Sequence, residues 1–282
     1  MSLRLGVDVG GTKIALAVLD AQGREVLRRR VATPHSGYDS ALAVLGAEIL
    51  SVENEAGARC SVGICLPGGV SASGRVFNSY NTPFNGRALK RDLEARLSRQ
   101  VRFANDAKAF VLSEAVDGAG AGAEVVFGAI FGTGVGGGIV VHGKALTGLN
   151  AISGEWGHTP LPWMLAEEFP GPPCNCGRRG CIEQFCAGPA LQRLKDEVGN
   201  EELALERYDD RVARALSLVV NFLDPEVIVL GGGVSNMDRL YTNVPRLLPK
   251  YVYTEHPATA IRRAAHGDAS GVRGAAMLWP AE

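Results

Sequence analysis

Leu5-Gly6-Val7-Asp8-Val9-Gly10-Gly11-Thr12-Lys13-Ile14-Ala15-Leu16-Ala17-Val18-Leu19 is the run on which the fold turns. It reads as an apolar strand with one acid near its end, a glycine turn, and a second apolar strand. The turn at Gly10, Gly11, Thr12 and Lys13 offers backbone N–H groups and a hydroxyl, which suits a phosphate. It is equally a tight hairpin in which Gly-Gly supplies positive φ. It is not a Walker loop, because no G-x4-G-K-[ST] occurs and a strand follows instead of a helix. A carboxylate such as Asp8 on an otherwise apolar strand is costly unless it meets a cation or a donor. Mg²⁺ beside a phosphate would meet that need.

The same unit returns a little over a hundred residues later. Val125 to Phe131 reads as a strand, Gly132-Thr133-Gly134-Val135-Gly136-Gly137-Gly138 as the turn, and Ile139 to Val141 as the returning strand. The Gly-Thr shared by both turns points to an internal duplication. Two similar halves would then each offer a phosphate turn to a shared cleft. Asp117 to Gly122 is a small-residue linker at the junction. The expected division is residues 1–117, completed by a closing helix over 270–282, and residues 118–269.

Between the two turns, Tyr38 to Ala58 has Leu42, Leu45, Ile49 and Val52 on one helical face. Ser61 to Cys65 is a buried strand, and Asn78 to Pro83 is a polar loop that is either a solvated turn or one whose amides, Asn81 among them, bind a hydroxylated ligand. Leu89 to Leu97 reads as a helix and Val101 to Ala104 as a strand ending in Asn105-Asp106, which opens a helix over Ala107 to Ala115. In open α/β sheets ligands bind at such strand ends. Asp106 there either takes a proton from an attacking hydroxyl or caps the helix. Beyond the second turn, Pro189 to Glu206 and Asp209 to Leu223 read as helices. Val227 to Leu230 is a buried strand, followed by Gly231-Gly232-Gly233. That run either admits a nucleotide against bare backbone or allows close packing.

Gly154-Glu155-Trp156-Gly157-His158 is followed by fifteen residues rich in proline and then by Cys174-Asn175-Cys176-Gly177-Arg178-Arg179-Gly180-Cys181-Ile182-Glu183. Three thiols at C-x-C-x4-C spacing and one histidine make a closed donor set for structural Zn²⁺. Glu155 and Glu183 flank the donors without being needed as ligands. The other cysteines, Cys60, Cys65 and Cys186, sit among apolar or small residues and read as core.

The chain has 282 residues, a net charge of -1 and 46% hydrophobic residues. Near-neutral charge gives no reason to expect nucleic acid or an anionic membrane as a partner. No apolar run reaches membrane-spanning length. Without a basic segment leading into an apolar one near residue 1, metal binding is favoured over disulfides and a cytoplasmic location is expected.

Two phosphate turns, an acid beside the first, an Asn-Asp at a strand end and two acids held by a metal loop suit phosphoryl transfer to a hydroxyl. The sequence resembles the ROK family of bacterial sugar kinases. The motifs that carry the likeness are Asp8-x-Gly10-Gly11-Thr12-Lys13, Asn105-Asp106, Gly132-Thr133-Gly134-x-Gly136-Gly137-Gly138, Glu155-x-Gly157-His158, Cys174-x-Cys176-Gly177-x-x-Gly180-Cys181-x-Glu183 and Gly231-Gly232-Gly233. They span nearly the whole chain. The resemblance implies an α/β actin/hexokinase-like (ribonuclease H-like) duplicated fold, with two domains flanking a cleft. It implies Asp106 as the general base, with Asn81, Asn105, Glu155, His158 and Glu183 binding the sugar. It further implies zinc on His158, Cys174, Cys176 and Cys181, ATP with Mg²⁺ at Asp8 and the glycine turns, Gly231 to Gly233 beside the nucleotide, and a homodimer.

Ser113 to Gly118, Gly154 to Met164, Leu223 to Tyr241 and His266 to Pro280 resemble the fructokinase branch, so fructose is the expected sugar. The N-acetylglucosamine kinase branch is the alternative, and a broader glucose or mannose kinase is a third. A repressor of the same family would need a helix-turn-helix ahead of Asp8, where seven residues stand. An ATPase that uses nucleotide only as a switch would leave the Cys/His stretch without a role.

Overall fold

The opening run forms two antiparallel strands in a computed structural model, which describes residues 3–280. β1 (Arg4–Val9) and β2 (Lys13–Leu19) pair with Val9 opposite Ile14. Leu5, Val7, Val9, Ile14, Leu16 and Val18 share one face and are fully buried, and Ala17 and Leu19 on the other face are fully buried too, as suits strands covered on both faces. β3 (Glu25–Ala32) adds antiparallel to β2 as an edge strand with alternate residues exposed. Its Arg28-Arg29-Arg30 run hides it from a reading by apolar pattern. α1 (Tyr38–Ala56) buries Ala41, Leu45, Ile49 and Val52 and stops at Gly57, whose φ is 67°. β4 (Ser61–Leu66) runs parallel to β1, and β5 (Gly69–Val70) and β6 (Val76–Phe77) form a small hairpin. After α2 (Leu89–Leu97) comes β7 (Arg102–Asn105), parallel to β4, and then α3 (Asp106–Asp117). The sheet order is β3-β2-β1-β4-β7.

The second sheet repeats this plan. β8 (Val125–Phe131) and β9 (Val135–Val141) are antiparallel, with β10 (Lys144–Ala145) at the edge. The residues from Cys174 to Cys181 lead into α4 (Glu183–Cys186), α5 (Gly188–Val198) and α6 (Glu201–Leu223). β11 (Val227–Gly231) lies parallel to β8, and after α7 (Arg239–Leu247), β12 (Ala260–Arg263) lies parallel to β11. The order β10-β9-β8-β11-β12 matches the first sheet position for position. α8 (Ser270–Ala276) is the last helix.

Two compact units result: residues 1–113, 145–153 and 268–282, and residues 114–144 and 154–267. The first division falls four residues before the expected 117, and a short segment after β10 joins the first unit. Glu114 accounts for the first difference, because its carboxylate accepts from the amides of Ala119, Ala265 and His266 at 2.9–3.0 Å. α8 belongs to the first unit and lies against β1 and β4. A Cβ on Gly6 would stand 1.9 Å from the Val272 carbonyl, and one on Gly63 would stand 1.9 Å from that of Ala275. Only glycine allows the helix so close.

Two expectations shift. β9 begins at Val135, so Gly136, Gly137 and Gly138 lie in the strand and not in the turn. The Trp156 ring explains Gly137: it lies 2.6 Å from where a Cβ would be, and its Nε1 donates to the neighbouring Gly136 carbonyl at 2.9 Å. The helix break also falls at Gly199-Asn200 and not after Glu206. Gly199 has φ 65°, and the Asn200 side chain accepts from the Leu203 amide at 3.1 Å, so one helix is stopped and the next capped.

Candidate active site

In the first unit the Gly10–Lys13 turn closes through the Gly10 amide donating to the Lys13 carbonyl at 2.9 Å. Neither Gly10 nor Gly11 has positive φ, so the tight-hairpin requirement does not explain them. Space does at Gly11, where a Cβ would lie 2.8 Å from the Asn81 carbonyl and 3.3 Å from Asn81 Nδ2. The amide loop is thus packed on the turn. Thr33 takes up the turn's carbonyls, its hydroxyl donating to Gly10 at 2.7 Å and its amide to Thr12 at 3.0 Å. The Thr12 and Lys13 side chains stay exposed.

Asp8 stands beside Cys65, whose Sγ donates to Oδ1 across 3.4 Å, and beside Gly271, where a Cβ would be 3.0 Å from Oδ2. Burial raises the Asp8 pKa above the usual carboxylate value, opposed by the Cys65 bond and the Lys13 charge. A cation beside it would restore the ionised form.

Asn105 and Asp106 join β7 to α3. Asn105 Oδ1 accepts from the Ala107 amide at 2.9 Å, and its Nδ2 donates to the Gly68 carbonyl at 2.8 Å. Asp106 Oδ1 accepts from that same amide at 2.8 Å. Asn105 therefore meets the capping need by itself, and the half-buried Asp106 carboxylate duplicates it.

In the second unit the turn is Gly132-Thr133-Gly134, closed by the Gly132 amide donating to the Gly134 carbonyl at 2.9 Å. The Gly188 amide, at the start of α5, donates to the Gly132 carbonyl at 2.8 Å. Gly232, with φ 82°, sits where a Cβ would meet the Phe131 carbonyl at 2.4 Å. Gly231 is buried within β11, whereas Gly233 has no atom within 4 Å of where its Cβ would be. Of the third glycine run, one residue is strand, one packs on the second turn and one is open.

Glu183 reaches the same turn. Its Oε2 accepts from the Val135 amide at 3.0 Å, and Oε1 lies 3.9 Å from Cys174 Sγ. A Cβ on Gly134 would stand 2.6 Å from Oε2. One carboxylate thus spans from the cysteine loop to the glycine turn. Glu155 is exposed at the head of the short helical turn Trp156–His158. Trp156 anchors that turn, packing edge-on to Phe127 and Phe131 with ring centroids 5.4 and 5.8 Å away.

His158, Cys174, Cys176 and Cys181 converge, their donor atoms all within 4.8 Å of one another. Tetrahedral Zn²⁺ with Zn–S of about 2.3 Å and Zn–N of about 2.0–2.1 Å requires S···S edges of about 3.8 Å and S···N edges of about 3.6 Å. Cys176 Sγ and Cys181 Sγ are 3.6 Å apart, and Cys174 Sγ and His158 Nδ1 are 3.5 Å apart, so the donor set fits that ion. The Arg178 amide beside Cys176 is the main cause that lowers its thiol to about 7, toward the thiolate a metal needs. With Nδ1 among the donors, His158 keeps Nε2 outside the set. Among the described residues no disulfide joins the cysteines, and Cys60, Cys65 and Cys186 are buried as expected.

Sequence reasoning missed what secures the proline-rich segment. Glu168 accepts from Arg214 at 2.7 and 3.1 Å and from Arg211 at 2.8 Å, while Arg214 also donates to the Trp163 carbonyl at 3.1 Å. Arg214 is 1% exposed. The signal was Asp210, Arg211 and Arg214 at helical spacing. It also missed Lys108, a buried lysine near the start of α3. No helix among the described residues is long and apolar enough to cross a membrane.

A model of the ROK family matches residues 4–282. The N-acetyl-D-glucosamine kinase of Pectobacterium atrosepticum is 40% identical, with 97% of each chain covered. The ROK hexokinase of Thermus thermophilus superposes with a TM-score of 0.86 at 32% identity, over 98% of this chain and 97% of that one. The ROK glucokinase of Streptomyces griseus, solved with glucose and AMPPNP, gives 0.77 at 26%, over 98% and 99%. Family match and repeated sheet order agree on the α/β, actin/hexokinase-like duplicated fold. This chain belongs to the ROK family and is an ATP-dependent sugar kinase of it.

Proposed function

We propose that the chain transfers the terminal phosphoryl group of ATP to a hydroxyl of N-acetyl-D-glucosamine. The observation that carries this choice of sugar is the 40% identity, over 97% of the chain, to a protein of that activity. Fructose, the sugar expected from the longer stretches of likeness, gives way to it. Those stretches lie mostly away from the candidate sugar residues and report kinship more than pocket chemistry.

In this reading Asp106 accepts the proton of the attacking hydroxyl, oriented by a cap that Asn105 supplies independently. Asn81, Asn105, Glu155, His158 and Glu183 bind the sugar. The backbone and hydroxyls of Gly10–Thr12 and Gly132–Gly134 receive the phosphates, with Lys13 adding charge, and Gly231–Gly233 lies beside the nucleotide. Asp8 would hold Mg²⁺, which supplies neutralisation of phosphate charge; the ion would favour the charged carboxylate that desolvation disfavours. Zinc at His158, Cys174, Cys176 and Cys181 would fix the loop that carries Glu183 and take no part in the chemistry.

A coupled assay over N-acetylglucosamine, glucose, mannose and fructose tests the proposal. The highest kcat/KM is expected for N-acetylglucosamine, and a higher value for fructose would overturn the choice of sugar.

A further inference from the structure

Lys108 has no part in the mechanism above, yet it is 3% exposed. Its ammonium donates to the carbonyls of Ala151 at 2.7 Å and Thr147 at 3.4 Å. The receiving segment, residues 145–153, closes on itself. The Ser153 hydroxyl donates to the Leu146 carbonyl, the Ser153 amide to Thr147 at 3.4 Å, and the Ala151 amide to Gly148 at 3.2 Å. Gly148 and Ala151 have φ of 75° and 58°, which aims carbonyls inward at the ammonium. The loop's own apolar side chains do not anchor it: Leu149 is 97% exposed, Ile152 50% and Leu146 46%. Polar bonds, and the lysine above all, hold its shape.

Burying an ammonium is costly, and three donors must find acceptors. The position at which this cost is met is informative, because Lys108 is two residues from Asp106. Residues two apart on a helix point about 200° apart. The first turn of α3 is therefore held at two points that flank Asp106 in the chain: Asn105 ties its start to the Gly68 carbonyl, and Lys108 ties it to the loop. The geometry points to Lys108 as a positioning residue for phosphoryl transfer. It locks the first turn of α3, and with it the Asp106 carboxylate, against the loop 145–153. The inference rests on the reading of Asp106 as the base.

Lys108→Met keeps the stem and removes the ammonium, and Lys108→Gln keeps one donor. In the methionine variant, exchange of the amides of residues 146–152 is expected to quicken at least about tenfold. kcat with the preferred sugar is expected to fall about 10- to 100-fold, the scale on which small misplacements of a catalytic group act. KM for ATP is expected to stay within about twofold, and the glutamine variant to recover part of kcat. If the methionine variant does not fold, the glutamine variant carries the same comparison with wild type. Quickened loop exchange with kcat within about twofold of wild type would overturn the inference, as would an equal loss in KM for ATP. A wild-type protein that phosphorylates no sugar would instead sink the kinase reading beneath it.

Discussion

Gly134→Ala is the sharpest probe of the second turn. Gly134 does not use positive φ, so alanine brings no backbone strain, and the whole effect comes from one contact. The new Cβ would stand 2.6 Å from Glu183 Oε2 and must gain about 0.8 Å to reach ordinary contact. That displacement breaks the 3.0 Å bond from the Val135 amide, whose residue is 6% exposed. Losing a hydrogen bond to a charged acceptor costs about 1.5–3 kcal/mol. Reduced freedom of the unfolded chain returns about 0.4–1 kcal/mol, which leaves a net loss of about 0.5–2.6 kcal/mol. Gly132→Ala is the matched control for stability: it too lacks positive φ, and its Cβ would meet nothing within 4 Å. Urea unfolding should place Gly132→Ala at or slightly above wild type and Gly134→Ala below it. Adding Glu183→Ala to Gly134→Ala should remove most of the coupling, because no carboxylate is left to displace. Equal stability of the two single alanine variants would refute the strut.

Further outcomes are expected. Asp106→Ala should lower sugar phosphorylation by about 10²- to 10⁴-fold with unfolding and metal content unchanged, and near-normal turnover would refute its role as base. Elemental analysis of the purified chain should find one zinc per chain and far less in Cys176→Ser; a metal-free wild type with full activity would remove that premise. Glu168 is driven up by burial but held down to about 2 by Arg214 and Arg211. Because its folded pKa is depressed, its contribution is complete above about 4.5 and fades as pH falls toward 2. Unfolding of wild type and Glu168→Gln should therefore differ at pH 7 and converge near pH 2, and a gap that widened in acid would contradict the assignment.

The duplication was legible because it rests on apolar strands around glycine turns, and buried strands declare themselves by composition. β3 was not legible, because an edge strand need bury little and its three arginines carry their apolar stems beneath charged ends. The convergence of His158, Cys174, Cys176 and Cys181 could be read from spacing, since donors that are to share one ion have little freedom. Glu183 could be read as important but not as a strut, because the amide it binds belongs to Val135, 48 residues away in the chain. The glycines misled most. Gly136 to Gly138 read as turn because local sequence cannot show a tryptophan ring pressed on the strand at Gly137. Lys108 was invisible for a related reason: its acceptors are carbonyls, which every residue has.

The close seating of α8 on Gly6 and Gly63 has a consequence for how the protein is made. The ribosome releases β1 and β4 first, but the helix that fills the space over them follows every other strand and helix described. Residues 114–144 and 154–267 hold every strand and helix of the second unit's core and can be complete before α8 emerges. Domains commonly fold in the order of their synthesis. Here the half that leaves the ribosome first waits longest, with the Gly6–Gly63 face of its sheet uncovered until α8 is made. In a nascent chain stalled before residue 268 the amides of β1 and β4 should exchange quickly, and in one released a few residues beyond α8 they should be protected.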